Sequence, residues 1–457
     1  MSQHLLSLIV LISIALPCTA QYKTVNPQVS KLVASISEER IVEILKKLEN
    51  FGTRNLLSSQ TDPRRGIGAA RQWIYSQFRS YNPRLEVAYD QYKLKKITEP
   101  NSRVPRDVDL YNVVAVLPGK LHPEQRIIIS GHYDTLVLTG PTGNSTTAGE
   151  TPPAGDPNGP EPGVTDNASG TACVMELARV MSQYEFDKTV VFIAFAGEEE
   201  GLLGSSLYAA KAKKAEQKIE AVLNNDIIGF EASGSGRMEN RRVNVFSDDP
   251  SDSPSRTLAR YAREIGERYV PMMKVDTVFR SDRVSRGGDH TPFAQEGFAA
   301  VRLSSPQENL ANEHTATDTF ANTSPAYITR VTKVNVAIAS SLAWAPMAPE
   351  TSELVERSGR KVTRLFLTRG TARSDAVLKW KHSPDKDHAG YVVVMRSTTS
   401  PFWEREVFVG KVAEFTVPDV SIDEWVFGVK AVDQEGNESL VSPYVPVGRP
   451  KRVVEVY

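Results

Sequence analysis

Five residues of the types that bind transition metals lie in the central part of the chain, each within its own short motif. The set mixes imidazoles with carboxylates, which is the combination of nitrogen and oxygen ligands that holds paired zinc ions in hydrolases. A single histidine or acidic residue in a loop is more often a capping or solvated group. The five together predict a two-zinc site that hydrolyses peptide bonds: His132 in GHYDT, Asp166 in GVTDNASG, Glu199 in AGEEEGLLGS, Asp226 in LNNDIIG and His314 in NEHTATDT.

A pair of zinc ions needs one carboxylate that bridges them, and the remaining positions then need one imidazole and one carboxylate for each ion. Asp166 is the candidate for the bridge. Gly163 and Gly170 on either side of it allow a tight turn, and a helix that begins after Asn167 would direct its backbone N–H groups toward the site.

The elements that must position these residues are strands that end just before them. His132 follows the run IIIS, Glu198 and Glu199 follow FIAFA, and Asp226 follows AVLNN. Because sites in open α/β sheets form beyond the carboxyl ends of the strands, we expect these side chains to meet at one edge of a sheet.

The fold class that these patterns predict is α/β, with a mixed, mostly parallel central sheet and helices on both faces. Thr189–Ala196 is apolar on both faces, as in a strand that helices cover on both sides. Tyr111–Leu117 and Arg126–Ser130, joined through Pro118-Gly119, predict a hairpin. Further strands are predicted at 222–223 and 299–303, and helices at 29–48, 66–81, 170–183 and 202–220.

The motifs as a set resemble the zinc-dependent exopeptidases of the bacterial leucyl aminopeptidase type, peptidase family M28. The resemblance covers roughly residues 37–346 and includes Phe51-Gly52-Thr53-Arg54. It implies that His132 and Asp226 hold one zinc, that Glu199 and His314 hold the other, and that Asp166 bridges the two Zn²⁺ ions of each chain.

Two residues outside the metal ligands are candidates for catalytic roles. In the run Glu198 to Glu200, the family pattern selects Glu198 as the general base, which takes a proton from the metal-bridging water and delivers it to the leaving amine. Asp134 is expected to accept a hydrogen bond from the imidazole of His132 and to fix its tautomer. Alternatively, Asp134 only caps the end of the strand before it.

Other titratable residues are predicted to lie outside the metal ligands. Asp289-His290 resembles a family segment near the substrate pocket, and His122, His382 and His388 are expected at the surface. Residues 139–163, rich in Pro, Gly and Thr, predict a long loop that borders the site. A surface insertion without a role in the site is the alternative.

The first residues favour export. Leu5–Leu16 is an uncharged apolar run, and the small residues that follow suit cleavage after Ala20, so we predict a signal peptide at 1–20 and a secreted or periplasmic protein. A buried N-terminal helix is the alternative, because residues 1–4 contain no Lys or Arg. Cleavage would leave Cys173 as the one cysteine, without an internal disulfide. No other segment approaches the roughly 18 apolar residues of a membrane span.

A chain of 457 residues exceeds the size of one core and predicts two domains. We assign 21–348 to the catalytic domain, 349–360 to a linker, and 361–457 to an all-β sandwich similar to a fibronectin type III domain, with Trp380, Tyr391 and Trp425 in its core pattern. Its partner is not indicated. Lys and Arg total 54 against 55 acidic residues, a balance that argues against nucleic acid as a partner.

The function that these observations favour is an exported aminopeptidase acting on peptides with a free N-terminus. One alternative is an acyltransferase similar to glutaminyl cyclases, which use a single zinc, although Asp166-Asn167-Ala168-Ser169-Gly170 looks more like the peptidase form. A carboxypeptidase or dipeptidase of the same family is another. A non-catalytic ectodomain similar to the transferrin receptor is disfavoured, because such a scaffold is expected to have lost ligands.

Overall fold

The computed structural model describes residues 25–99, 102–139, 154–248, 251–371, 374–385 and 387–445. The predicted signal peptide and most of the predicted loop 139–163 lie outside these ranges. The helices are α1 Pro27–Ala34, α2 Glu38–Glu49, α3 Gly66–Tyr81, α4 Ser169–Met181, α5 Leu203–Lys214, α6 Pro254–Tyr269, α7 His290–Gln295 and α8 Pro325–Trp344.

An eight-stranded mixed sheet forms the centre of the first 345 residues, with the strand order β1-β2-β4-β3-β5-β8-β6-β7. Strands β4, β3, β5 and β8 run parallel to their neighbours in this series, as do β6 and β7. The strands are β1 Glu86–Leu94, β2 Val108–Leu117, β3 His122–His132, β4 Lys188–Phe195, β5 Lys218–Asn225, β6 Arg242–Phe246, β7 Lys274–Val278 and β8 Ala300–Ser304.

Helices cover both faces of this sheet, as its apolar patterns predict. All eight residues of β4 are buried, and successive side chains point to opposite faces. Val190, Phe192 and Ala194 belong to the core that includes α1 to α4, α6 and α8. The intervening residues pack with Tyr208 of α5 and Phe293 of α7. The predicted α/β class is therefore confirmed.

The predicted hairpin between β2 and β3 is wrong. Strand β4 lies between them, antiparallel to β2 and parallel to β3. The other edge of β2 pairs with β1, which is also antiparallel to it. A strand that is buried on both faces needs hydrogen-bonding neighbours along both edges, and β4 obtains them by separating two strands that are adjacent in the sequence. The backbone N–H of Gly119 donates to Thr189 Oγ1 at 3.0 Å, at the start of β4.

Two predicted helices have different bounds in the structure. The pattern over 29–48 is divided between α1 and α2, because Ser37 caps α2 by accepting the Arg40 N–H at 3.2 Å. The helix predicted over 202–220 ends at Lys214, and the residues from Lys218 onward form β5.

Antiparallel strands form the region after Glu350. They build sheets of two, three and four strands, around a core that includes Trp380, Tyr391 and Phe427. The predicted linker contains β9, which pairs with β10. The fibronectin resemblance and the domain boundaries stay predictions. The strands are β9 Ser352–Arg357, β10 Arg360–Leu365, β11 Leu367–Arg369, β12 Ala376–Lys379, β13 His388–Ser397, β14 Arg405–Gly410, β15 Glu414–Val417, β16 Trp425–Asp433 and β17 Ser442–Pro443.

This β region packs against the first region through charged side chains. The Lys430 ammonium lies 3.4 Å from Glu264 Oε2 of α6, and His122 Nε2 contacts the carboxylate of Asp385. The expectation that His122 and His388 lie at the surface is wrong, because His122 is half-buried in this contact and His388 is buried. His382 is exposed, as predicted. Among the described residues, no helix is both long enough and apolar enough to cross a membrane.

Candidate metal centre

The carboxyl ends of three adjacent strands deliver the first ligands. His132 is the last residue of β3, Glu199 lies four residues beyond β4, and Asp226 immediately follows β5. Asp166 comes from the turn 164–168 that precedes α4, and His314 comes from the segment between β8 and α8. All five predicted ligands therefore reach the same edge of the sheet, as the strand-end argument predicts.

Asp166 lies between the two histidines and presents one carboxylate oxygen to each. Its Oδ1 is 3.1 Å from His132 Nε2, and its Oδ2 is 3.1 Å from His314 Nε2. His132 Nε2 is also 3.5 Å from Asp226 Oδ1, and His314 Nε2 is 3.3 Å from Glu199 Oε2. The five side chains thus form two groups that share Asp166.

The geometry of these groups fits zinc. Two ligand atoms bound to one tetrahedral zinc at about 2.0–2.1 Å lie about 3.3 Å apart, which agrees with the four nitrogen–oxygen separations. Glu199 Oε1 is buried and makes no hydrogen bond within the described part of the chain, so this oxygen also has an unused lone pair. The residues present therefore suit the zinc that the ligand types imply.

The turn that carries Asp166 is held by two residues that the sequence patterns did not single out for this role. Asp318 is buried, and its carboxylate accepts the backbone N–H groups of Thr165 and Asp166, each at 2.9 Å. The buried guanidinium of Arg54 donates to the carbonyl of Gly163 at 2.8 Å and to that of Tyr133 at 2.6 Å. Arg54 therefore ties the turn to the residue that follows His132.

The two glycines near Asp166 have different roles. Gly163 has a φ of +47°, in the left-handed region that glycine adopts without strain. Gly170 lies so close to the neighbouring strand end that a Cβ would be 2.0 Å from the carbonyl oxygen of Asn225. The Asn167 side chain completes this junction by donating to the same carbonyl at 2.8 Å.

Asp134 connects the two groups of ligands. Its Oδ2 accepts the backbone N–H of Glu199 at 3.2 Å, and its Oδ1 lies 3.5 Å from Nδ1 of His132. The same ring nitrogen is 3.3 Å from the Asp134 carbonyl oxygen. Asp134 is thus close enough to orient His132, and it also fixes the backbone of a second ligand, which the sequence pattern does not predict.

The three consecutive glutamates differ in their surroundings. Glu198 is half-buried, whereas Glu199 and Glu200 are buried. Burial raises the pKa of Glu198 well above its usual range; His132 opposes the shift, while Asp226, Glu199 and Asp289 add to it. A carboxyl group with a raised pKa holds a proton more readily than a solvated glutamate does, which suits a group that transfers protons.

Negative charge exceeds positive charge throughout the centre. Burial lowers the pKa values of His132 and His314, but neighbouring carboxylates, led by Glu198 for His132 and by Glu199 for His314, raise both well above the usual value. The position of Asp289 near the substrate pocket stays a prediction; burial raises its pKa to about 7, and the charges of Asp134 and Asp226 add to the shift. The two histidine shifts therefore report a surplus of carboxylates around both imidazoles.

Arg302 of β8 is a site residue that the sequence analysis missed. Its side chain is fully buried, and its Nε lies 3.1 Å from Asp226 Oδ2. Burial alone would raise the pKa of Asp226, and the Arg302 charge is the leading cause of its net lowering. The signal was a lone arginine inside the apolar run AAVRLSS, where a charge must have a buried partner.

Known proteins are similar to this chain in sequence or in fold. A model of peptidase family M28 matches residues 112–339. A probable zinc metalloprotease of Leptosphaeria maculans is 34% identical, over 92% of this chain and 96% of its own length. The Legionella pneumophila LapA aminopeptidase structure has a TM-score of 0.51 at 20% identity, covering 70% of this chain and 76% of that chain. The Fimbriiglobus ruber glutaminyl cyclase structure has a TM-score of 0.51 at 19% identity, covering 67% and 95%.

The sequence matches define the class of the protein as a zinc metalloprotease. The chain belongs to peptidase family M28, which confirms the resemblance drawn from its motifs. The two solved structures, at their low identities, show a shared fold alone.

Proposed function

We propose that the protein is a di-zinc aminopeptidase that hydrolyses the N-terminal peptide bond of peptides with a free α-amine. The observation that carries this proposal is the position of Asp166, whose two oxygens each lie 3.1 Å from the Nε2 atom of a different histidine. A carboxylate placed in this way suits a bridge between two ions.

The ligands divide naturally between two zinc positions. His132 and Asp226 would hold one ion and Glu199 and His314 the other, with Asp166 shared between them. When bound, the zinc pair would lower the pKa of a water molecule and polarise the carbonyl of the scissile bond. Asp134 supports both positions, because it contacts His132 and the Glu199 backbone.

Glu198 is the residue that we assign to proton transfer. It is half-buried beside His132 and Asp226, and its raised pKa lets the carboxyl group hold a proton taken from water. The same group then delivers that proton to the amine that leaves as the peptide bond breaks. Its more exposed position than that of Glu199 and Glu200 suits contact with solvent and substrate.

The preference for a free N-terminus rests on the metal pair and on the resemblance to the leucyl aminopeptidases. An unblocked peptide carries an α-amine, whose nitrogen in its neutral form would bind one zinc ion while the adjacent carbonyl is polarised by the pair. An acetylated N-terminus offers no such amine.

We also propose export, on the apolar run Leu5–Leu16 and the small residues up to Ala20.

The test combines zinc content with a set of matched substrates. We expect the purified chain to contain two zinc ions and to release p-nitroaniline from leucine p-nitroanilide. We expect no release from the N-acetylated form, and loss of activity on chelation that added zinc restores. One zinc ion with no release from any free-amine substrate, together with cyclisation of an N-terminal glutaminyl peptide, would instead support the glutaminyl cyclase alternative.

A further inference from the structure

A fully buried arginine contacts one side of the metal centre and not the other. Arg302 contacts three carboxylates, with Nε 3.1 Å from Asp226 Oδ2, Nη1 2.8 Å from Asp282 Oδ1 and Nη2 3.8 Å from Glu308 Oε1. Its Nη2 also lies 3.4 Å from the carbonyl oxygen of Asp226. The positive charge of Arg302 is therefore shared between a candidate metal ligand and two residues outside the ligand set.

The two zinc positions consequently have unequal carboxylates. Asp226 turns Oδ1 toward His132, at 3.5 Å, and gives Oδ2 to Arg302. Glu199 turns Oε2 toward His314, at 3.3 Å, and among the described residues its carboxylate has no arginine or lysine within ion-pair distance. Glu199 can thus offer its full negative charge to a metal, whereas Asp226 shares its charge with a guanidinium.

The surrounding loop keeps Arg302 in this position. A Cβ on Gly288 would lie 3.2 Å from Asp226 Oδ2 and 3.3 Å from Arg302 Cδ, so this glycine packs directly over the ion pair. Asp282 is itself fixed, because Arg283 Nε donates to its Oδ1 at 3.0 Å. Arg302 is therefore held beside Asp226 by its ion pair with Asp282 and by the packing of Gly288.

We propose that Arg302 makes the position formed by His132 and Asp226 the weaker of the two zinc positions, an inference that rests on the two-zinc site proposed above. A fixed positive charge repels a metal ion and reduces the charge that Asp226 can donate. Contacts made to a metal ligand by its neighbours typically change metal affinity by about 10–100-fold. Arg302 thereby tunes one metal position without touching substrate.

The experiment is a competition titration of the metal-free chain with zinc and a chromophoric chelator, which yields two stepwise dissociation constants. Arg302→Gln removes the charge and keeps a hydrogen-bond donor for Asp226. We expect it to lower the ratio of the two dissociation constants, which we call the gap, by about 10-fold. Asp282→Asn removes a carboxylate that offsets the charge of Arg302, and we expect it to widen the gap.

Arg396→Gln is the matched control. Arg396 is also a buried arginine paired with an aspartate, Asp252, but it lies in the β region away from the ligands, and we expect no change in the gap. Circular dichroism establishes folding of each variant, and Asp282→Asn remains decisive if Arg302→Gln does not fold.

Two results would overturn the proposal in distinguishable ways. A gap that stays unchanged in both variants, or that shifts in the same direction in both, overturns the role of Arg302 while two zinc ions still bind. A wild-type chain that binds a single zinc ion overturns the two-zinc site and this inference with it.

Discussion

Two clusters of buried charge occur in this molecule, and they differ in balance. At the interface between α6 and the β region, four cations meet four carboxylates: Lys430, Arg268, Arg260 and Arg396 with Glu264, Glu406, Glu438 and Asp252. At the metal centre, five carboxylates meet two imidazoles and one arginine: Asp134, Asp166, Glu198, Glu199 and Asp226 with His132, His314 and Arg302.

The balance explains why one cluster is structural and the other functional. Burial lowers the pKa of Lys430, but Glu264, Glu438 and Glu406 raise it above the usual value, so the charged form is stabilised by the protein alone. At the centre, burial raises the pKa of Glu198, and the charges of Asp226, Glu199 and Asp289 add to the shift. Buried carboxylates that have too few cationic partners in the chain are stabilised when a metal ion binds beside them.

The largest effect that we predict is the loss of turnover in Glu198→Gln. The substitution keeps the shape of the side chain and removes the proton carrier, so kcat should fall by about 10²–10⁴-fold. Zinc content should stay at the wild-type value, because Glu198 is not among the assigned ligands. Hydrolysis of leucine p-nitroanilide and elemental analysis of the same preparation measure both quantities.

Glu200→Gln is the control for that prediction. Glu200 lies two residues after Glu198 and is buried, but it is assigned neither to zinc nor to proton transfer, and we expect its variant to retain most of the turnover. Loss of activity in Glu200→Gln with full activity in Glu198→Gln would show that the general base has been assigned to the wrong glutamate of the run.

The second prediction concerns the balanced cluster. Lys430→Met removes the cation that contacts Glu264, Glu406 and Glu438 and leaves the cluster short of one positive charge, which should lower the free energy of unfolding by about 3–5 kcal/mol. Urea denaturation measures this change, and zinc content should not alter. Lys379→Met is the matched control: Lys379 pairs with Glu414 at 3.0 Å but is 54% exposed, so its loss should cost less than about 1 kcal/mol.

Equal effects of Lys430→Met and Lys379→Met would contradict a structural role for the interface cluster. Such a result would mean that the β region contributes little to the stability of the first region, and that the two pack together without depending on the buried charges.

The strand ends that bring the candidate ligands together could be predicted from the sequence because their signals are local. An apolar run such as 189–196 has the length and residue types of a strand, and His132, Glu199 and Asp226 each follow such a run within a few residues. The parallel arrangement then places the strand ends together without any knowledge of side-chain contacts.

The residues that the sequence did not assign have partners far away in the chain. Arg54 contacts the carbonyls of Tyr133 and Gly163, Asp318 contacts the Asp166 turn, and Arg302 contacts Asp226. The pairing of β2 with β4 is equally remote, which is why a hairpin of neighbouring strands was the wrong prediction. The spacing of apolar residues in a segment predicts whether it forms a helix or a strand, whereas these contacts depend on which segments pack together in the fold.

The smallest effect that we predict is a dependence of stability on pH that differs between the metal-free and zinc-bound chains. Burial raises the pKa values of Glu161 and Asp318 to about 7 in the metal-free state, above the unfolded values near 4.5 and 3.8. The folded chain therefore binds more protons than the unfolded chain between these values, and its stability falls as pH rises through that window.

The two histidines contribute with the same sign. The pKa values of His132 and His314 are raised in the metal-free state, so the stability that they supply below the unfolded value near 6.5 is lost as pH rises through their folded values. We expect urea denaturation of the metal-free chain to show a loss on the order of 2 kcal/mol between pH 6 and pH 8.

With zinc bound, the free energy of unfolding should instead increase from pH 6 to pH 8. Protons compete with zinc for its ligands, so the stabilisation by bound metal grows as pH rises. In the metal-free chain, Lys430→Met should lower the free energy of unfolding by the same amount at every pH between 6 and 8, since the pKa of Lys430 lies above this range. A metal-free chain that becomes more stable from pH 6 to pH 8 would mean that its buried carboxylates are already neutralised within the chain. In that case the contrast between the two clusters would not account for metal binding.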